Sequence, residues 1–150
     1  MRILIAGCGY VGSELAQQLH DQHHEVYGLR RDTVKLPKGI LPVAADLQVP
    51  ASLAALPEAI DYVFYTASAN GYGEEAYRAA YVTGLQNLLR ALSNQAPRHL
   101  FFTSSTGVYA QNDGEWLDEH SPAAADRPTA QALRDGEALV HNAAIPGTVV

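Results

Sequence analysis

The amino-acid sequence predicts an α/β fold: a doubly wound parallel sheet with helices on both faces. Short apolar runs of strand length alternate along the chain with stretches of helical periodicity. A glycine-rich turn directly follows the first apolar run. Because parallel neighbours need a crossover, which is usually a helix, this alternation favours a parallel sheet over hairpins. With 150 residues and 47% hydrophobic content, we expect one domain over residues 1–150.

The strands of this sheet are predicted from the apolar runs between turn residues. Five complete strands are expected at residues 2–6, 25–29, 41–45, 62–65 and 99–103. A sixth strand is expected to begin at residues 147–150, so we expect the fold to continue beyond this stretch. We therefore expect the N-terminal part of a longer fold, without its C-terminal lobe.

The helices are predicted from periodicity and from proline at a helix start. Segments 11–20, 51–56 and 74–93 have this character, and the apolar residues of the third can share one face. Pro128 suits the first turn of a further helix that ends near residue 142. The acidic, Gly- and Pro-containing segment 110–128 is predicted as a long loop over the carboxyl edge of the sheet.

Composition narrows the class of partner. The net charge is -6 and charged residues make up only 17%, so the composition does not indicate a basic surface that binds nucleic acid or a membrane. A small-molecule partner is expected. The single cysteine excludes a disulfide framework within the chain, and the apolar start is too short for a signal peptide or a membrane span. A cytoplasmic protein is expected.

The turn after the first strand has the pattern GxGxxG and opens a helix. Gly7 permits the tight turn, Gly9 lets the backbone approach a phosphate, and Gly12 lets helix and strand pack closely. The helix N-terminus, at Tyr10 and Val11, offers free N–H groups to an anion. This context predicts a site for the pyrophosphate of NAD(P), against the alternative of a turn that serves packing alone.

The end of the second strand bears on the choice of cofactor. An acid that binds the ribose 2′-hydroxyl usually stands there, but Leu29 is followed by Arg30 and Arg31 before Asp32. Two guanidinium groups suit a 2′-phosphate, because arginine binds phosphate bidentately. NADP is therefore predicted. The alternative is that both arginines are solvated and Asp32 binds the ribose of NAD.

Two other features, the single cysteine and a group of three histidines, are not predicted to form a reactive thiol or a metal site. Cys8 lies in the turn, where a small side chain that fills space is favoured over a reactive thiol. His20, His23 and His24 fall between the first helix and second strand, away from the edge where ligands bind in such sheets. Solvated histidines, and no metal site, are expected.

Four further segments resemble a known family. They are Asp46-Leu47, Thr66-Ala67-Ser68-Ala69, Val82-Thr83-Gly84 with Asn87, and the run from Phe102 to Tyr109. Together with the glycine turn, they resemble the extended short-chain dehydrogenase/reductase superfamily, the nucleotide-sugar epimerases and dehydratases, and especially its atypical members. The resemblance implies that Asp46 and Leu47 meet the adenine and that Thr66, Ala67 and Ser68 line the cofactor.

The resemblance also implies an activity. Ser105 falls at the family's catalytic Ser/Thr position, and Ser104 is the neighbouring candidate. The alternative is that these hydroxyls cap the backbone. The implied function is an NAD(P)-dependent epimerase, dehydratase or reductase acting on a nucleotide sugar or a related hydroxy/carbonyl compound. A homodimer that pairs two long helices is common in the family.

The chain departs from the family pattern in three places. The glycine spacing is GxGxxG rather than GxxGxxG, and Tyr81 replaces the helix Asn. More seriously, the catalytic Tyr and its partner Lys are absent from the matching stretch 128–137. Gln131 does not titrate and Arg134 stays charged, so neither can transfer a proton. Arg134 is expected on a solvated helix face, with a cofactor phosphate or an acidic substrate as the alternative partner.

Two other functions fit parts of the sequence. Gly9 to Gly12 also resembles the opening of the nucleotide-sugar 6-dehydrogenases, but Arg30 replaces the acid that they prefer and Cys8 is the only thiol. The other is a non-catalytic, NADP-responsive binding or regulatory protein. The absent Tyr/Lys pair supports this second alternative, and the retained Ser104 and Ser105 oppose it.

Overall fold

The computed structural model describes residues 1–150 and has one parallel sheet of six strands, in the order β3-β2-β1-β4-β5-β6. The strands are β1 (Arg2–Ala6), β2 (Glu25–Arg30), β3 (Leu41–Ala44), β4 (Tyr62–Tyr65), β5 (His99–Phe102) and β6 (Gly147–Val149). All five neighbouring pairs are parallel. The predicted doubly wound α/β class is confirmed, and the order reverses between β1 and β4, the usual ligand-binding point of such sheets.

The helices lie close to their predicted positions, with two differences in type. They are α1 (Tyr10–Asp21), α2 (Glu74–Tyr77), α3 (Gly84–Ala91) and α4 (Pro128–His141). Between α2 and α3 the chain forms a π-helix, Arg78–Thr83, within what the sequence predicts as one α-helix. The short helix between β3 and β4 is a 3-10 helix, Pro50–Ala55. No helix combines the length and the apolar composition that crossing a bilayer requires.

The core lies on both faces of the sheet because side chains alternate along each strand. Leu4 and Ala6 of β1 point into a cluster of 16 buried residues, shared with α3 and α4. Ile3 and Ile5 point the other way, into a cluster of six that α1 covers. The second face is covered less completely: Phe64 and Phe101 stack there at 4.8 Å and remain half-buried.

The segment between β5 and α4 is the long loop that the sequence predicts. It is mostly exposed, and its Trp116 side chain is 100% exposed. Arg134 of α4 holds it to the domain, because its Nη1 donates to the Ala123 carbonyl at 2.6 Å. Within the loop, Tyr109 Oη donates to the Asp118 carbonyl at 3.0 Å. Arg134 is half-buried in this role, so the expectation of a solvated side chain is wrong for this residue.

Candidate functional site

A cleft of about 830 Å³ crosses the carboxyl ends of the strands at the β1/β4 switch point. This volume is in the range of small-molecule sites. Twelve of the fourteen site residues named from the sequence line it: Gly7, Gly9, Tyr10, Val11, Arg30, Arg31, Asp46, Leu47, Thr66, Ala67, Ser68 and Ser104. The other two, Gly12 and Ser105, lie outside the lining.

The three glycines of the turn have different surroundings. Gly7 has a φ of +90°, and a Cβ there would lie 2.4 Å from the Ala67 backbone. A Cβ on Gly12 would lie 2.6 Å from Thr66 Oγ1, which itself donates to the Gly7 carbonyl at 3.0 Å. A Cβ on Gly9 would meet nothing nearer than 3.8 Å. Gly7 and Gly12 therefore serve the local packing, and Gly9 leaves the backbone open toward the cleft.

The first turn of α1 fits a phosphate group. Gly9 is its N-cap, and no side chain caps the N–H groups of this turn. The first turn contains no acidic residue, and Tyr10 and Val11 are 96% and 59% exposed. Free N–H groups and the positive end of the helix dipole favour an anion at this position. The residues present thus fit a dinucleotide pyrophosphate.

The structure distinguishes the two arginines expected at the 2′-phosphate. Arg30 Nη1 donates to the Cys8 carbonyl at 2.9 Å and to the Lys35 carbonyl at 3.4 Å, so it holds the glycine turn. Arg31 is exposed and lines the cleft, and its guanidinium makes no hydrogen bond or ion pair. Asp32 pairs with Lys35 at 3.4 Å beside it. Arg31 is therefore the guanidinium that is free to bind a ligand.

A buried amide side chain holds the backbone at the end of the cleft beside β3. Asn87 is only 6% exposed, and its Nδ2 donates to the Leu47 carbonyl at 2.8 Å. Asp46 Oδ1 accepts from the Gln48 N–H at 2.9 Å, which orients the carboxylate. The sequence pointed to Asn87 only as part of a helix signature, because its partner lies 40 positions earlier in the chain.

The two serines after β5 have different roles. Ser105 is exposed and its Oγ accepts from the Gly107 N–H at 3.1 Å, which caps a short 3-10 turn. This contact corresponds to the alternative to a catalytic role, in which the hydroxyl caps the backbone. Ser104 is half-buried and lines the cleft, and its Oγ donates to Glu137 Oε1 at 2.5 Å. The sequence did not single out Glu137, which α4 brings to Ser104 from 33 positions away.

No residue of the stretch 128–137, where the family has its Tyr and Lys, lines the cleft. Within this stretch, Gln131 Nε2 donates to Asp135 at 2.8 Å, and Arg134 contacts the loop. Tyr81 does line the cleft, and burial is the main cause that raises the pKa of its hydroxyl. Its phenol is therefore neutral at neutral pH. No group of three His, Cys, Asp or Glu side chains is placed to hold a metal ion.

Cys8 lies beneath the turn and is 0% exposed. Burial raises the pKa of its thiol, outweighing the hydrogen bond to Ser13 and the charge of Arg30. The thiolate, which is the reactive form, is thereby disfavoured. This environment supports the space-filling interpretation of Cys8.

A parallel sheet with this strand order, and a glycine turn at the switch point of its cleft, defines a dinucleotide-binding α/β domain. Residues 3–144 match the model of the NAD dependent epimerase/dehydratase family. The chain belongs to this family.

Individual relatives agree with this assignment. UDP-glucose 4-epimerase of Mycoplasma genitalium is 32% identical, with 77% of this chain and 39% of that protein covered. A solved structure described as an NAD-dependent epimerase/dehydratase from Methylobacillus flagellatus is 40% identical, with a TM-score of 0.80 and coverage of 99% of this chain and 52% of that one. A short-chain dehydrogenase/reductase superfamily protein from Agrobacterium tumefaciens with bound NAD is 25% identical, with a TM-score of 0.83 and coverage of 99% and 48%. The chain spans about half the length of such relatives.

Proposed function

We propose that the chain forms the cofactor-binding half of an NAD(P)-dependent enzyme that acts on a nucleotide sugar. The observation that carries this proposal is the cleft at the switch point, where Gly9 is open and the first turn of α1 is uncapped. When bound, NAD(P) supplies the oxidant or reductant for a carbon that carries a hydroxyl or carbonyl group. The names of the epimerase relatives support a UDP-sugar as substrate.

The chain's own residues would hold this cofactor along the cleft. The pyrophosphate would lie against Gly9 and the first turn of α1, because that is where unbonded N–H groups are available. The adenosine end would lie toward Arg31 and Asp46, and the nicotinamide toward Ser104. This order follows the cleft from the ends of β2 and β3, across β1, to the end of β5.

For the cofactor, we propose NADP, with Arg31 as the residue that binds the 2′-phosphate. Its guanidinium has no protein partner, whereas Arg30 is committed to the turn. NAD remains the alternative, with Asp32 on the ribose, and the family description and the NAD-bound relative support that alternative.

Calorimetric titration of NADP and NAD tests this preference. Arg31→Ala should weaken NADP binding about tenfold, the loss of one charge-assisted contact, and leave NAD binding unchanged. Arg90→Ala is the matched control, because Arg90 is an exposed arginine of α3 outside the cleft. Equal affinity of the wild type for NAD and NADP would show the preference to be wrong.

For the activity, we propose that a hydroxyl after β5, at Ser105 or Ser104, contacts the substrate. The test is cofactor turnover by the full-length protein with UDP-glucose and other UDP-sugars, with Ser105→Ala and Ser104→Ala for comparison. Activity that depends on either serine would exclude a non-catalytic NADP-responsive regulator. NADP binding without turnover of any substrate would favour that regulator instead. The expected homodimer stays a prediction, which sedimentation velocity can test.

A further inference from the structure

Two side chains donate to the backbone carbonyl of Cys8 in the glycine turn. Arg30 Nη1, at the end of β2, donates to this carbonyl at 2.9 Å, and Ser13 Oγ, on α1, donates to it at 3.3 Å. Arg30 Nη1 also lies 3.4 Å from the Lys35 carbonyl. The sequence predicts Arg30 as a ligand of the 2′-phosphate, and that role does not explain these contacts.

The backbone around this carbonyl is held by further hydrogen bonds. The N–H groups of Gly7 and Cys8 both donate to the Leu29 carbonyl, at 3.1 and 3.0 Å. The Gly9 N–H donates to the Gly7 carbonyl at 2.6 Å. Cys8 is 0% exposed and does not line the cleft, whereas the glycines on either side of it do. The turn thus presents two glycines to the cleft and binds the intervening carbonyl to protein donors.

The direction of the Cys8 carbonyl matters for an anion at the turn. A peptide group is planar, so the Cys8 carbonyl and the Gly9 N–H change direction only together. Glycine adopts backbone conformations that other residues avoid, so rotation of this peptide needs a restraint. A rotated peptide would release the carbonyl oxygen from Arg30 and Ser13. Its partial negative charge would then be unpaired beside the phosphate site and would repel the phosphate.

The two donors differ in strength. Arg30 carries a permanent positive charge, and a hydrogen bond from a charged donor is about twice as strong as one between neutral groups. The same guanidinium brings a positive charge to the turn, which favours an anion there. Ser13 Oγ is neutral and lies at a longer distance. Arg30 is therefore the main restraint on the carbonyl.

We infer that Arg30 is a positioning residue for the cofactor pyrophosphate: it holds the Cys8–Gly9 peptide in the orientation that lets a phosphate approach Gly9. Arg30 then acts on the part that NAD and NADP share. Arg31, in contrast, is proposed to act on the 2′-phosphate that only NADP carries. The two adjacent arginines therefore serve different groups of one ligand. This inference rests on the proposed function.

Calorimetric titration of the full-length protein with NAD, NADP and adenosine 2′-phosphate tests this division. The third ligand carries a 2′-phosphate and no pyrophosphate. Arg30→Met keeps much of the side-chain volume and removes the donor, so it should weaken NAD and NADP binding alike, about tenfold. It should change the affinity for adenosine 2′-phosphate by less than about twofold, because that ligand does not need the turn. Arg31→Met should weaken NADP and adenosine 2′-phosphate and leave NAD unchanged.

A second measurement needs no ligand. Cys8 lies beneath the turn, so the rate at which iodoacetamide alkylates it, followed by peptide mass spectrometry, reports local opening of the turn. Arg30→Met should raise this rate about tenfold, because a restraint on the turn is lost. Ile145→Val is the matched control for stability: it shortens a core side chain outside the cleft and should leave the rate unchanged.

Two more variants separate a donated hydrogen bond from packing. Arg30→Lys keeps a cationic donor and should bind NAD within about threefold of the wild type. Ser13→Ala removes the weaker donor and should weaken NAD and NADP binding equally, by about threefold. Arg90→Ala is the control for charge, because Arg90 is exposed and lies outside the cleft. If Arg30→Met does not fold, Ser13→Ala decides.

Several outcomes would overturn the inference. A larger loss for NADP than for NAD in Arg30→Met assigns Arg30 to the 2′-phosphate. An equal loss for adenosine 2′-phosphate shows that Arg30 acts through the Lys35 carbonyl instead. Arg30→Lys binding as weakly as Arg30→Met excludes a donated hydrogen bond as the cause, and an unchanged alkylation rate shows that Arg30 does not restrain the turn.

Failure of the inference and failure of the proposed function are distinguishable. A wild type that binds NAD or NADP, with an Arg30→Met variant of equal affinity, refutes the inference alone. A wild type that binds neither dinucleotide refutes the proposed function and this inference with it.

Discussion

At the scale of single residues, two glycines of the GxGxxG turn meet different requirements: one allows close packing of a helix, and the other allows a phosphate to approach the backbone. Gly12 allows helix α1 to approach β1 and β4, because a Cβ there would meet Thr66, Gly7 and Ile5 within 2.9 Å. Gly9 has no such neighbour. A methyl group at each position therefore probes a different property: folding at Gly12 and phosphate approach at Gly9.

Gly12→Ala should lower the free energy of unfolding by about 2 kcal/mol, the usual cost of overpacking. Gly9→Ala should lower it by less, because the added methyl points into open space, yet it should weaken cofactor binding at least about tenfold by blocking the pyrophosphate. Urea unfolding and calorimetric titration measure the two effects. Equal destabilisation by both substitutions would contradict the distinction.

At the scale of elements, the π-helix between α2 and α3 lies where a buried tyrosine contacts the helix backbone. Tyr65 is 0% exposed, and its hydroxyl donates to the Ala80 carbonyl at 2.5 Å. A Cβ on Gly84 would lie 2.7 Å from that hydroxyl, so the glycine gives the tyrosine room. Ala79, Ala80 and Tyr81 of the π-helix line the cleft, as π-helical segments often do at functional sites.

Tyr65→Phe should destabilise the domain by about 1 kcal/mol, because it removes a buried hydrogen bond and leaves the Ala80 carbonyl without that donor. Tyr72→Phe is the control, since Tyr72 is 96% exposed. Thermal or urea unfolding measures both. A Tyr65→Phe domain as stable as the wild type would show that the Ala80 contact contributes nothing.

An ion pair joins α4 to the π-helix: Arg78 Nη1 lies 3.0 Å from Asp135 Oδ2. The hydrogen bond from Gln131, with the nearby charge of Arg78, lowers the pKa of Asp135 from 3.8. A carboxyl whose pKa is lower in the folded state stabilises the fold above its unfolded pKa, and this stabilisation is lost as the pH falls through the lowered value.

Asp135→Asn should therefore cost about 0.5 kcal/mol at pH 7, a small value because both partners are partly exposed. The difference from the wild type should shrink as the pH falls below about 4. Urea unfolding between pH 7 and pH 3 measures it. A difference that grows in acid would have the wrong sign for this carboxyl.

At the scale of the whole molecule, the cleft joins segments that are distant in the chain. Its lining comes from the glycine turn, the ends of β2 to β5 and the π-helix. A ligand that contacts all of them binds the folded state alone, so it should stabilise the whole domain.

At a concentration of 100 times its Kd, NADP should add about 2.7 kcal/mol to the free energy of unfolding and raise the Tm by several degrees. Differential scanning fluorimetry measures the shift. Gly9→Ala should abolish most of it, whereas Arg90→Ala should not. A Tm that stays constant at saturating NADP and NAD would contradict cofactor binding at this cleft.

The sequence by itself determined the fold class, most strand and helix bounds, and the glycine turn. These features follow from local patterns, since periodicity, turn residues and the GxGxxG spacing act within a few positions. The departures in helix type fall within segments that the sequence predicts as helical, where a π-helix and a 3-10 helix replace α-helix.

The tertiary structure alone decided which side chains are available to a ligand. In the folded chain the Arg30 guanidinium binds the glycine turn, whereas the Arg31 guanidinium has no partner. The Ser105 hydroxyl accepts a hydrogen bond from a backbone N–H. The tertiary structure also set Ser104 against Glu137, 33 positions away. The physical reason is that a hydrogen bond or a burial between distant segments depends on where the folded chain brings them. No pattern within a single segment contains that information.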